Sequence, residues 1–530
     1  MLDFSVGAPA RRRWVLGFFA ALLALGLGVF RDYGVSFDEE ISRNNGMITL
    51  KHVAQKVAPA WVASHPDFAP YWIALPDYID RDYGVAFEAP VSLLEQLLGL
   101  HGTRAQFRFR HLCTFLVCFG GIIAVYQLAA RRFADWRLGL LAAAWLVLSP
   151  RLFAESFYND KDAVFMALFA LATNTGVRLL LRPTWGRAAW HALACAVTID
   201  VRIMGVLLPV ATLALLAWRA AQGELRWAAV ARAGALYVPL LGTLVVLLWP
   251  YLWPAPWPNF AAAFANMSSF RWGGPVLYRG TVVWAPGLPW HYPLVWVAIT
   301  TPLLYLGSAL LGMVLVVKNL TRHGWRLLAC EAQTQDVLFL GLCLGPLAAV
   351  LALHSVLYDG WRQLYFIYPA LLLLALRGWV AAARWRPRWA GWPRAWGSLT
   401  VACMAGVAGQ MVRDHPLQNV YFNVLAGAPV AERYELDYWG VGYKQDVEYI
   451  VAHDARPLIT VFSTSGPGNF NAQTLRDAQR TRLKFVNSPA EADYLITDYR
   501  WHPEPYPYEH EVFRQRVGGL RVHSVFKLRW

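Results

Sequence analysis

Long apolar runs recur along the chain and are separated by short polar segments. The first run, from Trp14 to Phe30, contains no charged residue and directly follows Arg11, Arg12 and Arg13. A helix needs about 20 mostly apolar residues to cross the hydrocarbon core of a bilayer. The pattern therefore predicts about eleven membrane-spanning helices, near residues 14–30, 108–130, 138–150, 163–181, 188–200, 202–218, 230–250, 292–317, 335–355, 362–379 and 396–412.

The composition agrees with a membrane protein and argues against a nucleic-acid partner. Hydrophobic residues make up 57% of the 530 positions and charged residues only 15%, which leaves too little polar surface for a soluble protein. The net charge is +14, but Arg and Lys lie in short clusters between apolar runs, as the positive-inside rule produces. The six cysteines lack CxxC spacing, so we interpret them as packing residues.

The basic clusters predict the orientation of the chain. They all fall on one side if the N-terminus is cytoplasmic. Residues 31–107, 251–291 and 413–530 then lie on the opposite, outer side. A cleaved signal peptide is the alternative for the first run, but its apolar core is long and no small-residue cleavage site follows it. The clusters are Arg131, Arg132 and Arg137; Arg182 and Arg187; Arg219, Arg226 and Arg232; Lys318, Arg322 and Arg326; and Arg384, Arg386, Arg388 and Arg394.

The C-terminal segment differs from the rest of the chain because it lacks long apolar runs. It alternates a helix-like stretch, Gln445–His453, with short strand-like stretches. We therefore predict an α-helical polytopic membrane domain over residues 1–412 and a small extracytoplasmic α/β domain over 413–530. The strand-like stretches are Leu458–Phe462, Tyr494–Thr497 and Leu520–Phe526.

Carboxylates are concentrated where the predicted spans reach the outer side. Asp38, Glu39 and Glu40 follow the first span directly, and Asp160 and Asp162 precede the fourth. Acidic side chains near a bilayer are costly, and adjacent like charges need a cation or a shared proton. Carboxylates also suit a reaction in which a hydroxyl group must lose its proton. For any single residue, helix capping at the interface is the alternative interpretation.

A short internal similarity lies within the first outer segment. Residues 31–39 and 81–89 share six of nine positions, including Arg-Asp-Tyr-Gly-Val. A match this short does not establish a duplicated unit, and chance similarity of two turns is the alternative. In either case the two Tyr-Gly turns bring Asp38 and Glu88 back toward the membrane surface. We therefore predict Glu88 as a substrate-binding residue.

Arginines recur at the same outer ends of the spans. Arg362 begins the tenth span after Tyr358 and Asp359, while Arg110 and Arg202 lie at the outer ends of other spans. A guanidinium group binds phosphate through forked, charge-assisted hydrogen bonds. We predict Arg362 as the first choice for a phosphate ligand, followed by Arg110 and Arg202. Tyr358 and Asp359 are predicted to contact the substrate.

These motifs together resemble those of the GT-C membrane glycosyltransferases. The likeness is greatest to the branch of protein O-mannosyltransferases and the lipid A aminoarabinose transferase, and it covers roughly residues 10–440. The matching motifs are Phe37-Asp38-Glu39 after the first span; Ser149-Pro150 followed by Asp160-Lys161-Asp162; Tyr358-Asp359-Gly360-Trp361-Arg362 running into Tyr368-Pro369; His415-Pro416 leading to Tyr421-Phe422-Asn423; and Asp437-Tyr438-Trp439-Gly440.

The resemblance implies a transferase in a bacterial-type cytoplasmic membrane. It would move a sugar from a polyprenyl-phosphate donor to an acceptor glycan, lipid or protein on the outer side. By similarity, Asp38 is the catalytic base, Glu39 supports it, and Asp160 or Asp162 orients the donor or acceptor. The resemblance leaves a divalent cation open. Because the outer segments lack a dense His/Asp set, we predict no metal ligands.

Two other functional classes fit parts of the pattern. Charged residues near a membrane also mark the pathways of transporters and lipid-linked-sugar flippases. Transporters usually show inverted repeats or polar groups at mid-membrane, whereas the long runs here have clean middles. A scaffold protein for envelope polysaccharide would leave the acidic outer turns unexplained. The sequence therefore favours the transferase.

Overall fold

The structure is a computed structural model of the whole chain. Three basic residues of the predicted clusters, Arg326, Arg386 and Arg388, lie outside the part that it describes. The described residues are 8–268, 272–323, 330–385, 387 and 389–529.

The described part of the chain is mostly helical and confirms a polytopic membrane protein. Nine of its helices are long and apolar enough to cross a membrane. They correspond to nine of the predicted spans, so the hydropathy pattern located most of the membrane domain. These helices are Pro9–Val29, Thr103–Phe133, Asp162–Leu181, Ile203–Ala221, Trp227–Leu248, Leu303–Arg322, Glu331–Ala352, Arg362–Arg384 and Trp392–Arg413.

The other two predicted spans differ from straight helices of full length. The run at 138–150 belongs to two helices, Trp136–Val147 and Pro150–Tyr158, which are bent by 72°. Proline disfavours the helical conformation in the residue before it, and the break lies there. The run at 188–200 forms helix Trp185–Val201. Its 17 residues are close to the minimum length of a membrane-spanning helix.

A second proline corrects the predicted span at 292–317. The structure divides this run into two helices, Tyr292–Thr300 and Leu303–His323. Thr301, which precedes Pro302, adopts an extended conformation. Proline removes a backbone donor and restricts its neighbour, so the apolar run does not continue as a single helix.

Two helices form the centre of the membrane domain. In the most apolar windows of Asp162–Leu181 and Arg362–Arg384, 72% of the residues are buried, compared with 11% in Pro9–Val29 and Trp392–Arg413. The two central helices both begin at the same end of the molecule. Their first residues, Asp162 and Arg362, therefore meet at its centre.

The first outer segment folds into short helices above the spans. Helix Glu39–Val57 starts with two acidic residues, which interact favourably with the positive end of the helix dipole. It packs closely on Glu88–Leu97, and Gly46 permits this contact because glycine has no side chain. A Cβ atom at Gly46 would lie 2.5 Å from the Ser92 hydroxyl oxygen. Helix Pro59–Ser64 follows the first of these helices.

The second outer segment contains an element that the sequence patterns did not predict. Helix Pro256–Ser268 is followed by an antiparallel strand pair, Pro275–Tyr278 and Thr281–Trp284. The turn between the strands contains Arg279 and Gly280 with positive φ.

The C-terminal segment forms a five-stranded mixed sheet with helix Tyr443–His453 packed on it, as the α/β prediction states. The three predicted strands are confirmed, and two more were missed because one has only three residues and the other carries charged residues. The short helices are Pro467–Ala472 and Asp477–Arg480. In spatial order the strands are Leu483–Phe485, Ile459–Ser463, Tyr494–Thr497, Leu520–Lys527 and Glu511–Val517, the first three parallel and the last two antiparallel to their neighbours.

A buried ion pair joins this sheet to the chain that leads back to the membrane domain. His523 Nδ1 lies 2.8 Å from Asp446 Oδ2, and its Nε2 lies 3.1 Å from Asp437 Oδ2. All three side chains are fully buried. Burial opposes the charged imidazolium, but the two carboxylates outweigh it and raise the pKa of His523 from 6.5 to about 10. The imidazolium therefore holds strand, helix and connecting segment together.

Substitution of His523 is expected to destabilise the protein. His523→Gln leaves two buried carboxylates without their cation, a loss of about 3–5 kcal/mol. Because the folded pKa of about 10 exceeds the unfolded value of 6.5, the stabilisation is complete below 6.5 and disappears as the pH rises through 10. Thermal unfolding of purified protein across this range measures the effect, with the exposed His453→Gln as control. Equal pH dependence in wild type and His523→Gln would contradict the ion pair.

Candidate active site

Three carboxylates surround the guanidinium group of Arg362. Its Nη1 lies 3.2 Å from Asp38 Oδ2 and 3.0 Å from Asp162 Oδ2, and its Nη2 lies 3.3 Å from Asp359 Oδ2. These four residues come from three distant segments of the chain. Each was predicted as a site residue from the sequence, and the structure brings all four together.

Two further arginines extend this cluster. Arg202 Nη2 lies 2.5 Å from Asp162 Oδ1, and Arg500 Nη2 lies 2.6 Å from Asp359 Oδ1. Arg500 also donates to the carbonyl of Tyr438. Arg202 is a site residue predicted from the sequence, whereas Arg500, which lies in the C-terminal domain, was not predicted. This domain therefore contributes directly to the cluster.

Local turns fix two of the carboxylates. The backbone N–H of Asp162 donates to Asn159 Oδ1 at 2.7 Å, and Asp162 stands at the positive N-terminal end of its helix. Asp359 has a φ of 53° and Gly360 one of 75°, a left-handed conformation that is costly for a non-glycine residue. The Gly360 N–H donates to the Tyr292 hydroxyl at 3.0 Å, which holds this turn.

Aromatic rings enclose Arg362 on its faces. Its guanidinium carbon lies 4.9 Å from the centre of the Tyr358 ring and 4.6 Å from that of Trp439. The Arg362 side chain is only 3% exposed. A planar guanidinium satisfies both the stacked rings and the three acids, which a lysine ammonium cannot do. The structure thus places the predicted substrate-binding residue Tyr358 against Arg362.

Exposure distinguishes Asp38 from the other two acids. Its side chain is 19% exposed, compared with 1% for Asp162 and 9% for Asp359. Burial opposes its ionisation, but the charges of Arg362, Lys161 and Arg202 outweigh burial and lower the pKa of Asp38 below its ordinary value. Asp38 is therefore an ionised carboxylate that a molecule from outside can reach.

Glu39 is turned away from this cluster. Its Oε2 accepts the backbone N–H of Ser36 at 2.6 Å, and its Oε1 lies 2.9 Å from His111 Nε2. The residue is 1% exposed. These contacts fix the start of the helix that follows Asp38, so Glu39 supports the position of its neighbour.

Arg110 and Glu88 belong to a second, fully buried group. Arg110 Nη1 lies 2.5 Å from Glu88 Oε2, and its Nε lies 2.6 Å from Glu95 Oε1. Its Nη2 donates to the Ser92 hydroxyl. All three nitrogens thus bind protein groups, and Glu88 and Glu95 compensate the charge of Arg110, although Glu95 also pairs with Arg43 at 3.0 Å. Glu88 was predicted to bind substrate, and in the structure one of its carboxylate oxygens pairs with Arg110.

Asp160 lies between the two groups. One of its carboxylate oxygens accepts the Ser42 hydroxyl at 2.9 Å, and the other is buried and has no hydrogen-bond partner among the described residues. Burial and the nearby charges of Glu88 and Glu39 raise the pKa of Asp160 well above its ordinary value. This environment disfavours the ionised form of Asp160, whereas the arginines and Lys161 favour the ionised form of Asp38, so Asp38 is the better candidate for the base.

A small cleft lies between the first outer segment and the short loops that carry Asp160 and Arg202. Its volume is about 20 Å³, and Tyr83, Asp160, Lys161 and Arg202 are part of its lining. The Lys161 ammonium lies 4.8 Å above the Tyr83 ring. The Nε atoms of Arg202 and Arg362 are both buried and find no hydrogen-bond partner in the described part of the chain.

The clustered carboxylates are each bonded to arginine. Across the described residues, no group of three or more His, Cys, Asp or Glu side chains is arranged to hold a metal ion. The absence of metal ligands stays a prediction from the sequence.

Comparison with known proteins gives structural neighbours only. No protein-family model and no curated protein matches the chain. Over 97% of its length the chain is similar to 98% of the crystal structure of ArnT from Cupriavidus metallidurans in the apo state, with 14% identity and a TM-score of 0.48. For the same protein bound to undecaprenyl phosphate, the identity and coverage are the same and the TM-score is 0.42.

Proposed function

We propose that this protein is an inverting glycosyltransferase that moves a sugar from a polyprenyl-phosphate donor to an acceptor hydroxyl. One observation carries the proposal: an accessible, ionised Asp38 lies beside Arg362, Asp162 and Arg202 at one end of the membrane spans. A general base thus lies next to guanidinium groups that suit a phosphate. We expect Asp359 and Tyr358 to complete the substrate site around Arg362.

The orientation of the chain supports a lipid-carried donor. The cluster lies at the ends of the spans opposite to the basic clusters, which the positive-inside rule assigns to the cytoplasm. We therefore place the N-terminus inside and the site and C-terminal domain outside a bacterial-type cytoplasmic membrane. Nucleotide sugars are confined to the cytoplasm, so a transferase facing outward needs a donor whose lipid stays in the bilayer.

The proposed reaction is a single in-line displacement. Asp38 accepts the proton of the acceptor hydroxyl while the acceptor oxygen forms a bond to the anomeric carbon. The bond between that carbon and the phosphate oxygen breaks on the opposite face, which inverts the configuration. The bonding electrons and the added negative charge leave with the polyprenyl phosphate. Guanidinium groups stabilise this charge as it develops, so the leaving group needs no proton.

Arg202 and Lys161 are the proposed contacts of the donor phosphate, with Arg362 behind them. The Arg202 side chain is 23% exposed, and its Nε has no protein partner in the described part of the chain. Arg362, which three acids enclose, holds Asp38 in place, and its proximity to Asp38 and Asp162 adds positive charge behind the phosphate. Arg110 is compensated by Glu88 and Glu95 and is assigned to the scaffold of the first outer segment.

Removing the Arg202 guanidinium is expected to weaken binding of the lipid phosphate. A charge-assisted hydrogen bond contributes about 1.5–3 kcal/mol, so Arg202→Gln should lower affinity for undecaprenyl phosphate by about 10–100-fold. Titration of purified wild type and variant in detergent measures this affinity. Arg81→Gln is the matched control, since it removes one exposed arginine of the first outer segment, outside the charged cluster. Unchanged affinity in Arg202→Gln would place the phosphate elsewhere.

A membrane assay separates the transferase from a flippase. Membrane vesicles of the source cell, which contain the acceptor, are supplied with a labelled polyprenyl-phosphate sugar. A transferase breaks the bond between sugar and phosphate, so free polyprenyl phosphate should appear only when the protein is present. A flippase would move the lipid-linked sugar across the membrane intact. Translocation without release of polyprenyl phosphate would reject the proposed function.

A further inference from the structure

A second charged cavity lies at the opposite ends of the spans from Asp38. Its volume is about 630 Å³, within the range of ligand-binding pockets. It lies where the spans Thr103–Phe133 and Asp162–Leu181 end and helix Trp185–Val201 begins. Four guanidinium groups line it, those of Arg131, Arg178, Arg182 and Arg187.

Neutral groups hold three of these arginines in place. Arg131 donates to the side-chain carbonyl of Asn174 at 2.8 Å, and Arg178 donates to that of Gln127 at 3.0 Å. Arg187 donates to the backbone carbonyl of Arg178 at 2.9 Å. Because amide oxygens carry no net charge, these bonds orient the guanidinium groups without neutralising them.

Arg132, next to Arg131 in the sequence, differs from the cavity arginines because a carboxylate neutralises its charge. Arg132 forms two hydrogen bonds to Asp336, both of 2.6 Å, and Arg377 lies 3.6 Å from the same carboxylate. Among the described residues, none of the four cavity arginines lies within ion-pair distance of a carboxylate, although Glu331 also lines the cavity. Asp336 thus neutralises Arg132, whereas the four cavity arginines form a cluster of positive charge beside it.

Exposed tryptophans mark the level of this cavity in the membrane. Trp190 lines it and is 68% exposed, and Trp185, at the start of the same helix, is 63% exposed. Tryptophan is enriched at the level of the lipid headgroups. The arginines, which flank these indole rings, therefore lie at headgroup depth and at the edge of the protein.

We propose that this cavity binds the phosphate-bearing headgroup of an anionic phospholipid from the cytoplasmic leaflet. Basic pockets between spans on the cytoplasmic side suit such headgroups, and guanidinium groups bind phosphate through forked hydrogen bonds. A lipid is favoured over a soluble phosphate compound because exposed indole rings border the cavity. Only the choice of leaflet rests on the orientation given with the proposed function, and the lipid would lie across the membrane from Asp38.

Lipid competition in nanodiscs tests this site. Wild type and the double variant Arg178→Gln/Arg182→Gln are placed in phosphatidylcholine with or without phosphatidylglycerol, and retained lipid is counted by native mass spectrometry. Loss of two guanidinium groups is expected to weaken phosphatidylglycerol retention about thirtyfold. The control, Arg226→Gln/Arg232→Gln, removes the same charge from exposed arginines outside the cavity lining and should retain the lipid as wild type does.

Three outcomes would overturn the inference. Equal retention by wild type and the cavity variant would show that these arginines bind no specific lipid. An equal loss in the control variant would attribute retention to overall charge. Displacement of phosphatidylglycerol by ATP or inorganic phosphate would assign the cavity to a soluble phosphate ligand. Release of polyprenyl phosphate in the membrane assay is a separate readout, so failure of the lipid site and failure of the proposed function are distinguishable.

Discussion

Asp38→Asn is expected to reduce sugar transfer by about 10²–10⁴-fold, the contribution of a general base. The substitution keeps the size of the side chain and its hydrogen bond to Arg362, but the amide cannot accept the proton of the acceptor hydroxyl. Arg362 keeps two further acids, Asp162 and Asp359, so the fold should survive. Release of polyprenyl phosphate in membrane vesicles measures the rate, and thermal unfolding checks the fold.

Two neighbouring acids serve as controls for this experiment. Asp32→Asn removes a half-exposed carboxylate that pairs with His415 and should leave the rate unchanged. Glu39→Gln should cost less than Asp38→Asn, since Glu39 contacts Ser36 and His111 and supports its neighbour. A rate near wild type for Asp38→Asn would reject Asp38 as the base.

Loss of activity only in a variant of the second acidic loop would move the base there. Asp162→Asn and Asp160→Asn test this alternative directly. Asp162 is 1% exposed and lies within 3.0 Å of Arg362, so an acceptor cannot reach it without rearrangement. Burial and the nearby carboxylates raise the pKa of Asp160, which disfavours its ionised form. We expect both variants to retain more activity than Asp38→Asn.

Arg362→Ala is expected to abolish activity and to destabilise the protein. Three buried or partly buried carboxylates would lose their shared cation, a cost of about 3–5 kcal/mol. Loss of a charge-stabilising donor at a reacting centre reduces rates by about 10²–10³-fold. Thermal unfolding and polyprenyl phosphate release together measure the two effects.

Arg362→Lys separates charge from geometry at this position. Lysine keeps the positive charge, so the variant should fold, but it loses the fork and the stacking on Tyr358 and Trp439. We expect substantially weaker use of the donor. Arg413→Ala, at an exposed arginine paired with Asp414, is the control. Normal donor affinity in Arg362→Ala would contradict the assignment.

The sequence predicted the membrane domain well because one physical property determines it. Apolar runs must span the hydrocarbon, so hydropathy alone located the helices. The differences occur at Pro150 and Pro302, where backbone chemistry interrupts an apolar run. The C-terminal strands were predicted where β-branched and apolar residues alternate, and missed in Glu511–Val517, where charges obscure the pattern.

The candidate site was predicted only in part, because some of its residues lie at the ends of spans and others meet only through tertiary contacts. Asp38, Asp162 and Arg362 stand at the ends of spans, so topology alone placed them on one face. Whether an arginine there is available to a ligand or already paired with a carboxylate depends on tertiary contacts. Arg110 was therefore predicted as a phosphate ligand, because its pairing with Glu95 is not visible in the sequence. No sequence signal connects Arg500 to Asp359, since the contact forms only when the C-terminal domain docks.

Analysis of lipids that accumulate when the gene is deleted tests the central claim most directly, because it requires no knowledge of the acceptor. A transferase that consumes a polyprenyl-phosphate sugar should leave that lipid in excess, and mass spectrometry of the lipid extract identifies it. Wild-type protein should remove the excess, whereas Asp38→Asn should not. If no polyprenyl-phosphate sugar changes in amount on deletion, or if Asp38→Asn restores the normal level, the proposed reaction is wrong.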